Sequence, residues 1–398
     1  MTLLALRAAR LFDGTASALV ADPVLVLEGG VVRSVDHAVP PGATVVDLGD
    51  ATLLPGLVDT HVHLAFDASE DPVGALLARD EAQTLAAMTA AGRQAAYGGV
   101  TTVRDLGDRD YLSLVLRASD DPALPTIVAA GPPLTTPRGH CHYLGGEVTS
   151  AESARAAVRE HAERGVDVIK LIASGGNLTP GTRLEVPQFA PDVLRAAVAE
   201  AHRLSLPVTA HAHGTQPVID ALAAGVDGLE HATFMTTDGV DEAPPDLVRE
   251  IAERHVTVGV TLGIVVPDGT PLPGPIASRR DALVANLRAY HRAGVQLTAG
   301  TDAGIMPIKP PDVLRYAVHM LEFSGMSTVD TYRAVTSVAA GVCGLGHRKG
   351  RLAPGFDADV LAVRGDPFTD PAALHDIRAV YVRGVAVRGT PVTVPPPR

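Results

Sequence analysis

Residues 57 to 305 alternate between two hydrophobic patterns. Short runs in which most positions are apolar suit strands covered on both faces, and the stretches between them repeat apolar residues every three or four positions, as amphipathic helices do. Eight runs qualify: LVDTHVH (57–63), VTTVRDL (100–106), TIVAAG (126–131), DVIKLIAS (167–174), PVTAHAH (207–213), GLEHATF (228–234), VTVGVTL (256–262) and VQLTAGTD (295–302). Strands that alternate with helices pair in parallel through crossover connections. Eight such units is the count of an α/β fold of the (β/α)8 TIM barrel type, which gathers its reactive groups at the C-terminal ends of the strands. The helices carry their own punctuation. Thr149 to Glu152 reads as a capping box before ARAAVREHAER with Gly165 as its stop, and RRDALVANLRAYHRAG ends at Gly294.

The flanks follow another rule. Residues 1–56 and 350–398 hold alternating runs such as VLVLEGGVVRSV and VYVRGVAVR, broken by glycine turns, which predict hairpins. The economical arrangement is one small β-sandwich domain assembled from both termini, with a metal-dependent barrel domain at 57–349 inserted between them. The proline-rich connection 265–275 follows strand seven on the active-site side, where it serves either as a lid or as an ordinary surface connection.

Composition narrows the functions open to such a fold. A net charge of −12 without a basic run argues against a nucleic-acid partner and against an anionic membrane surface. No run reaches the roughly eighteen apolar residues of a spanning helix. The start, MTLLALRAARLFDG, is interrupted by Arg7 and Arg10 and suits a first strand better than a signal peptide. These features lead to the expectation of a cytoplasmic protein with a small-molecule substrate, and they leave a homo-oligomer open. Cys141 and Cys343 have no metal or redox spacing and read as buried thiols. The basic residues are lopsided: thirty arginines against three lysines, Lys170, Lys309 and Lys349. Lys170 lies in the middle of a strand predicted to be covered on both faces, where an ammonium is costly. Lysine, unlike arginine, can lose its proton when desolvated.

The strand ends hold the candidate chemistry. His61 and His63 stand two apart, so strand alternation puts both imidazoles on one face, and His211 and His213 repeat the arrangement on strand five. His231 on strand six and Asp302 at the end of strand eight complete a set of nitrogen and oxygen donors suited to zinc or a similar divalent ion. An ammonium has no lone pair for a metal. Lys170 joins the set only if its neutral amine takes up carbon dioxide as a carbamate, and otherwise it pairs with a buried carboxylate such as Asp105 or Asp302.

LLPGLVDTHVHL, GVTTVRDLG, VIKLIASGG, VTAHAHG, GLEHATF, TAGTDAG and GRLAPGFDADVLAV together resemble the amidohydrolase superfamily over nearly the whole chain. More narrowly, the chain is similar to its imidazolonepropionase-related and prolidase-like branch with a strand-four lysine. The resemblance implies a binuclear centre of two divalent ions, zinc being the expected metal. His61, His63 and Asp302 would hold one ion, His211 and His231 the other, and a carbamate on Lys170 would bridge them, with His213 outside the set. It implies hydrolysis of a dipeptide, Xaa-Pro or N-acyl amino acid by a metal-bridging hydroxide, with Asp302 moving the proton as the catalytic acid–base. His140 and Tyr143 in RGHCHYLGGE (138–147), with His142 beside them, and Arg183 after strand four are candidates for holding the substrate. The alternatives are a mononuclear enzyme acting on a cyclic amide, lactone or aminated heterocycle, and a non-catalytic barrel that binds or scaffolds.

Overall fold

The computed structural model describes residues 3–266, 270–272, 274–389 and 393–394. Eight parallel strands form where the apolar runs lie: β1 (Leu57–Val62), β2 (Val100–Asp105), β3 (Thr126–Ala129), β4 (Ile169–Ile172), β5 (Val208–Ala212), β6 (Gly228–His231), β7 (Thr257–Thr261) and β8 (Leu297–Gly300). They are shorter than the runs that announce them, and at β1, β5 and β8 the residues left beyond the ladder include His63, His213 and Asp302. Ladder pairing gives a three-stranded sheet, β3-β2-β1, and a five-stranded sheet, β4-β5-β6-β7-β8. The architecture is therefore α/β, and the ladders among the described residues do not close into a continuous ring. At both seams the backbones still bond. Asp302 N–H donates to His61 O at 2.7 Å and His63 N–H to Ala303 O at 3.0 Å, while Asp167 N–H reaches Ala129 O and Leu134 N–H reaches Lys170 O, both at 2.8 Å.

Helices join the strands and lay their apolar faces on them, as Leu194, Ala197, Val198 and Ala201 of helix Pro191–Arg203 do within the main core. The capping box before helix Ala151–Arg164 corrects the sequence reading. Ser150 is the cap, and its reciprocal partner is Ser153 rather than Glu152, because the helix starts one residue later than the Thr149 cap required. Gly165 ends that helix at φ 86°, in the left-handed region that glycine adopts without strain. Within the proline-rich connection 265–275, residues 267–269 and 273 lie outside the described residues.

The flanks form two further sheets. One orders strands 393–394, 44–47, 4–7, 24–28 and 31–36, and the other 385–388, 377–382, 360–364, 51–55, 10–11 and 20–21, so each takes strands from both ends of the chain. They share a core that includes Leu6, Leu25, Leu27, Leu53, Val360 and Tyr381. Lys349, buried at this junction, donates to Asp357 Oδ2 at 2.8 Å and Asp359 Oδ2 at 2.6 Å. Both cysteines are buried and free.

Candidate metal centre

β1 ends by delivering His61 and His63 side by side, with their Nε2 atoms 3.3 Å apart and Asp302 Oδ1 at 3.5 Å from the first and 3.3 Å from the second. The far nitrogens decide which atoms face that point. His61 Nδ1 lies 2.9 Å from Glu230 Oε2 and His63 Nδ1 lies 3.1 Å from the carbonyl of Gly107, and both partners accept, so each ring donates from Nδ1 and turns the Nε2 lone pair inward. Burial alone would raise the carboxyl of Asp302, but the imidazoles of His61 and His63 and the Lys309 ammonium hold it well below the carboxylate range. Two imidazole nitrogens and a carboxylate converging on one point need a positive partner among them, either a proton on an Nε2, as the raised His63 imidazole facing Asp302 provides, or a metal cation. Gly300 permits the close packing, since a methyl group there would come within 2.3 Å of His61 Cβ.

A second cluster forms from β5 and β6. Ligand atoms of His211, His213 and His231 lie within 4.8 Å of one another, as do those of His61, His63 and Asp302. His213, set outside the ligand set by resemblance, stacks on His231 with centroids 4.3 Å apart and an interplanar angle of 21°, while its Nδ1 meets Thr233 Oγ1 at 2.9 Å. Burial holds all three imidazoles neutral at ordinary pH, with His213 lowered to about 3. Neutral imidazole is the form that binds a metal. Glu230 and His231 are consecutive, and a regular strand would send them to opposite faces. His231 adopts φ 69°, which breaks the alternation and lets both reach the centre. Asp302 does the same at φ 60° beyond β8.

Lys170 on β4 is 2% exposed, and its Nζ has neither a hydrogen bond nor an ion pair among the described residues. Pairing with Asp105 or Asp302, one of the two sequence readings, does not occur. Asp105 accepts from the backbone N–H groups of Leu64 and Gly107, and Asp302 is engaged by the two histidines. Burial lowers the Lys170 amine to about 8, against the opposing pull of Glu230 and Asp302, and its charge acts on His61, His211, His213 and His231.

The substrate-binding candidates separate. His140 is buried, with its ring centroid 4.9 Å from that of His211, and its Nδ1 meets Thr179 Oγ1 at 3.1 Å. Burial lowers its imidazole to about 4. Tyr143 packs edge-on against Phe66, which in turn lies against His63, and its hydroxyl points to Cys141 Sγ. His142 stands 4.0 Å from Glu147 and is partly exposed. The Arg183 side chain is 64% exposed and binds Glu185 through Nε and Nη2, and among the described residues Nη1 has no hydrogen-bond partner.

Sequence reasoning missed Glu230. It is 1% exposed and accepts from His61, from Arg104 Nη2 at 2.9 Å and from Thr209 Oγ1 at 2.7 Å. Burial would raise its carboxyl, but the Arg104 guanidinium and the hydrogen bond from His61 hold it down at about 2. A carboxylate inside an otherwise apolar strand was the available signal, and the adjacent histidine masked it.

Paired donor clusters at the C-terminal ends of parallel strands define an α/β protein with two candidate metal-binding clusters. The chain belongs to the Amidohydrolase family, whose model matches residues 52–392. It is a hydrolytic enzyme acting on carbon–nitrogen bonds, of the amide kind, with a small-molecule substrate. An ochratoxinase of Aspergillus niger is 29% identical over 363 residues, covering 82% of this chain and 73% of that protein. An imidazolonepropionase of Thermoplasma acidophilum is 22% identical over 396 residues, covering 89% and 86%. Among solved structures, a Xaa-Pro dipeptidase with bound methionine shares the fold at a TM-score of 0.84 and 24% identity, covering 98% of this chain and all of that one. No helix among the described residues is long and apolar enough to cross a membrane.

Proposed function

We propose that the enzyme hydrolyses the amide bond of a dipeptide, Xaa-Pro or N-acyl amino acid at a centre of two divalent ions, zinc being the metal that the donors suit. His61, His63 and Asp302 would hold one ion and His211 and His231 the other, with a carbamate on Lys170 between them. The observation that carries this reading is the Lys170 Nζ: buried, unpartnered and electrostatically coupled to both histidine clusters. Conversion to a carbamate would turn an uncompensated buried amine into an anionic ligand with two oxygens. The proposal also takes the two parallel sheets as one (β/α)8 barrel spanning 57–349, and the flanking sheets as a composite β-sandwich domain from 1–56 and 350–398. The backbone bonds at both seams support the barrel.

The ions, when bound, would supply Lewis acidity toward the substrate carbonyl and make water a nucleophile near neutral pH. Asp302, kept ionised by its neighbours, is the base that takes the proton from water and returns it to the departing amine. His140 sits beside His211, where it can donate to a substrate oxygen, and Tyr143 walls the same side. Arg183 can offer Nη1 to the free carboxylate of such a substrate.

Metal analysis of native protein and intact mass measurement test the centre together. Two equivalents per chain and the added mass of one carbon dioxide on Lys170 are expected, and one equivalent with a bare lysine overturns the reading. A panel of dipeptides, N-acyl amino acids, lactams and lactones tests the substrate class. One observation favours a second reading: with His213 counted, each cluster has three donors without Lys170. In that case the chain binds two ions while Lys170 stays a free amine.

A further inference from the structure

Lys309 lies outside the donor clusters, yet it touches the backbone behind both. It is 8% exposed, and its Nζ donates to the carbonyl of Thr301 at 2.5 Å and to that of Thr261 at 3.3 Å. Those two carbonyls lie at the C-terminal ends of β8 and β7.

The first contact bears on Asp302. The peptide unit between Thr301 and Asp302 is held at both ends, with its carbonyl on Lys309 and its N–H on His61 O at 2.7 Å. The Thr301 side chain is pinned too, by Asp59 Oδ2 at 2.7 Å. Asp302 sits at φ 60°, a left-handed conformation that a residue with a Cβ adopts only under restraint. Rotation of this peptide plane would relieve the strain and swing the carboxylate away from His61 and His63. It would also break both bonds, so Lys309 opposes it.

The second contact bears on His231. Thr261 gives its carbonyl to Lys309, and its Oγ1 lies 2.9 Å from His231 Nδ1, so the threonine that Lys309 tethers also fixes the orientation of that ring. His231 is itself left-handed at φ 69°. The charge is aligned with this role, since Asp302 and Asp59 are the carboxylates acting on Lys309.

We propose that Lys309 is a positioning residue: its ammonium joins the ends of β7 and β8 and so locks the strained backbone that presents Asp302, and through Thr261 the ring of His231, to a divalent ion. The inference rests on the reading that the clusters bind divalent ions. A purely structural lysine would lower stability and leave ion binding intact. A positioning lysine does the reverse, because its loss lets strained backbone relax.

Cobalt titration of the metal-stripped full chain, followed by its visible absorption and by chelator competition, distinguishes these. In Lys309→Met, both bound equivalents are expected to weaken, the one held by Asp302 by about tenfold or more, as happens when groups that orient metal ligands are removed, with an altered cobalt spectrum. Lys349→Met, which removes a buried lysine whose ion pairs are with Asp357 and Asp359 rather than with the clusters, is expected to lower the melting temperature further while keeping native affinity and spectrum. Lys309→Arg keeps the charge and should recover part of the affinity lost in Lys309→Met. It also serves as the test, by its deficit against wild type, if the methionine variant does not fold. Native affinity and spectrum in a folded Lys309 variant overturn the proposal. Failure of the wild-type chain to bind cobalt overturns instead the reading beneath it.

Discussion

Glu230 Oε2 stands 2.9 Å from His61 Nδ1, and its other oxygen accepts from Arg104 and Thr209. One buried carboxylate thereby orients the imidazole that begins the first cluster and balances the guanidinium behind it. Removing either function has a measurable consequence.

Glu230→Leu leaves Arg104 buried without its counterion, and loss of one partner of such a pair costs about 3–5 kcal/mol. Denaturant unfolding is expected to show that loss. Glu230→Gln keeps the shape and an acceptor and should cost less stability, while weakening zinc binding by about 10–100-fold through looser orientation of His61. Unchanged zinc affinity in folded Glu230→Gln would remove the carboxylate from the centre.

Lys170→Met removes the unpartnered buried amine while keeping an apolar stem. Because that amine lacks a hydrogen-bond partner, the metal-free variant should melt at the same temperature as the wild type or higher. Metal content should fall below two equivalents and hydrolysis should be lost. A variant that keeps both ions and full activity would show that the lysine is not a ligand.

Two glycines separate ion binding from substrate binding. A methyl group at Gly300 would lie 2.3 Å from His61 Cβ, and one at Gly176 would lie 2.4 Å from His140 Nε2. Gly300→Ala should therefore lose metal. Gly176→Ala should retain metal content but lower kcat/KM by roughly tenfold, since displacing a positioned side chain by about 1 Å can cost up to a hundredfold. Equal metal loss in both would merge the two roles.

Lys349 with Asp357 and Asp359 should behave as a structural lock. Lys349→Met leaves buried Asp359 without its cation and Asp357 with Arg348 alone, and a loss of about 3 kcal/mol is expected from thermal or urea unfolding. Burial would raise the Asp357 carboxyl, but Arg348 and Lys349 lower it below its ordinary 3.8. Its contribution is therefore present above about pH 4 and lost as pH falls further, so the stability difference between wild type and variant should shrink in acid. A difference that grows below pH 4 would contradict this linkage.

The eight parallel strands and the placing of His61, His63, His211, His231 and Asp302 at their ends were legible in the chain because they rest on local rules. Apolar runs bounded by turn residues make buried strands, and a two-residue period puts neighbouring histidines on one face. The cap of helix Ala151–Arg164 was legible only in kind: serine and glutamate both suit the third helical position, and the start of the helix decides between Ser153 and Glu152. Alternation also failed at His231, where a positive φ turns two consecutive residues toward the same centre.

The amino-acid order by itself determined which groups are available: donors at strand ends, a lysine inside an apolar strand, and three lysines in an arginine-rich chain. Only the tertiary structure decided their partners. It assigned Glu230 to His61, stacked His213 on His231, left Lys170 without a counterion and set Lys309 behind Thr301 and Thr261. Those relationships join residues far apart in the chain, and the burial that makes an unpaired amine costly, or a carboxylate a strong acceptor, exists only once the strands enclose them.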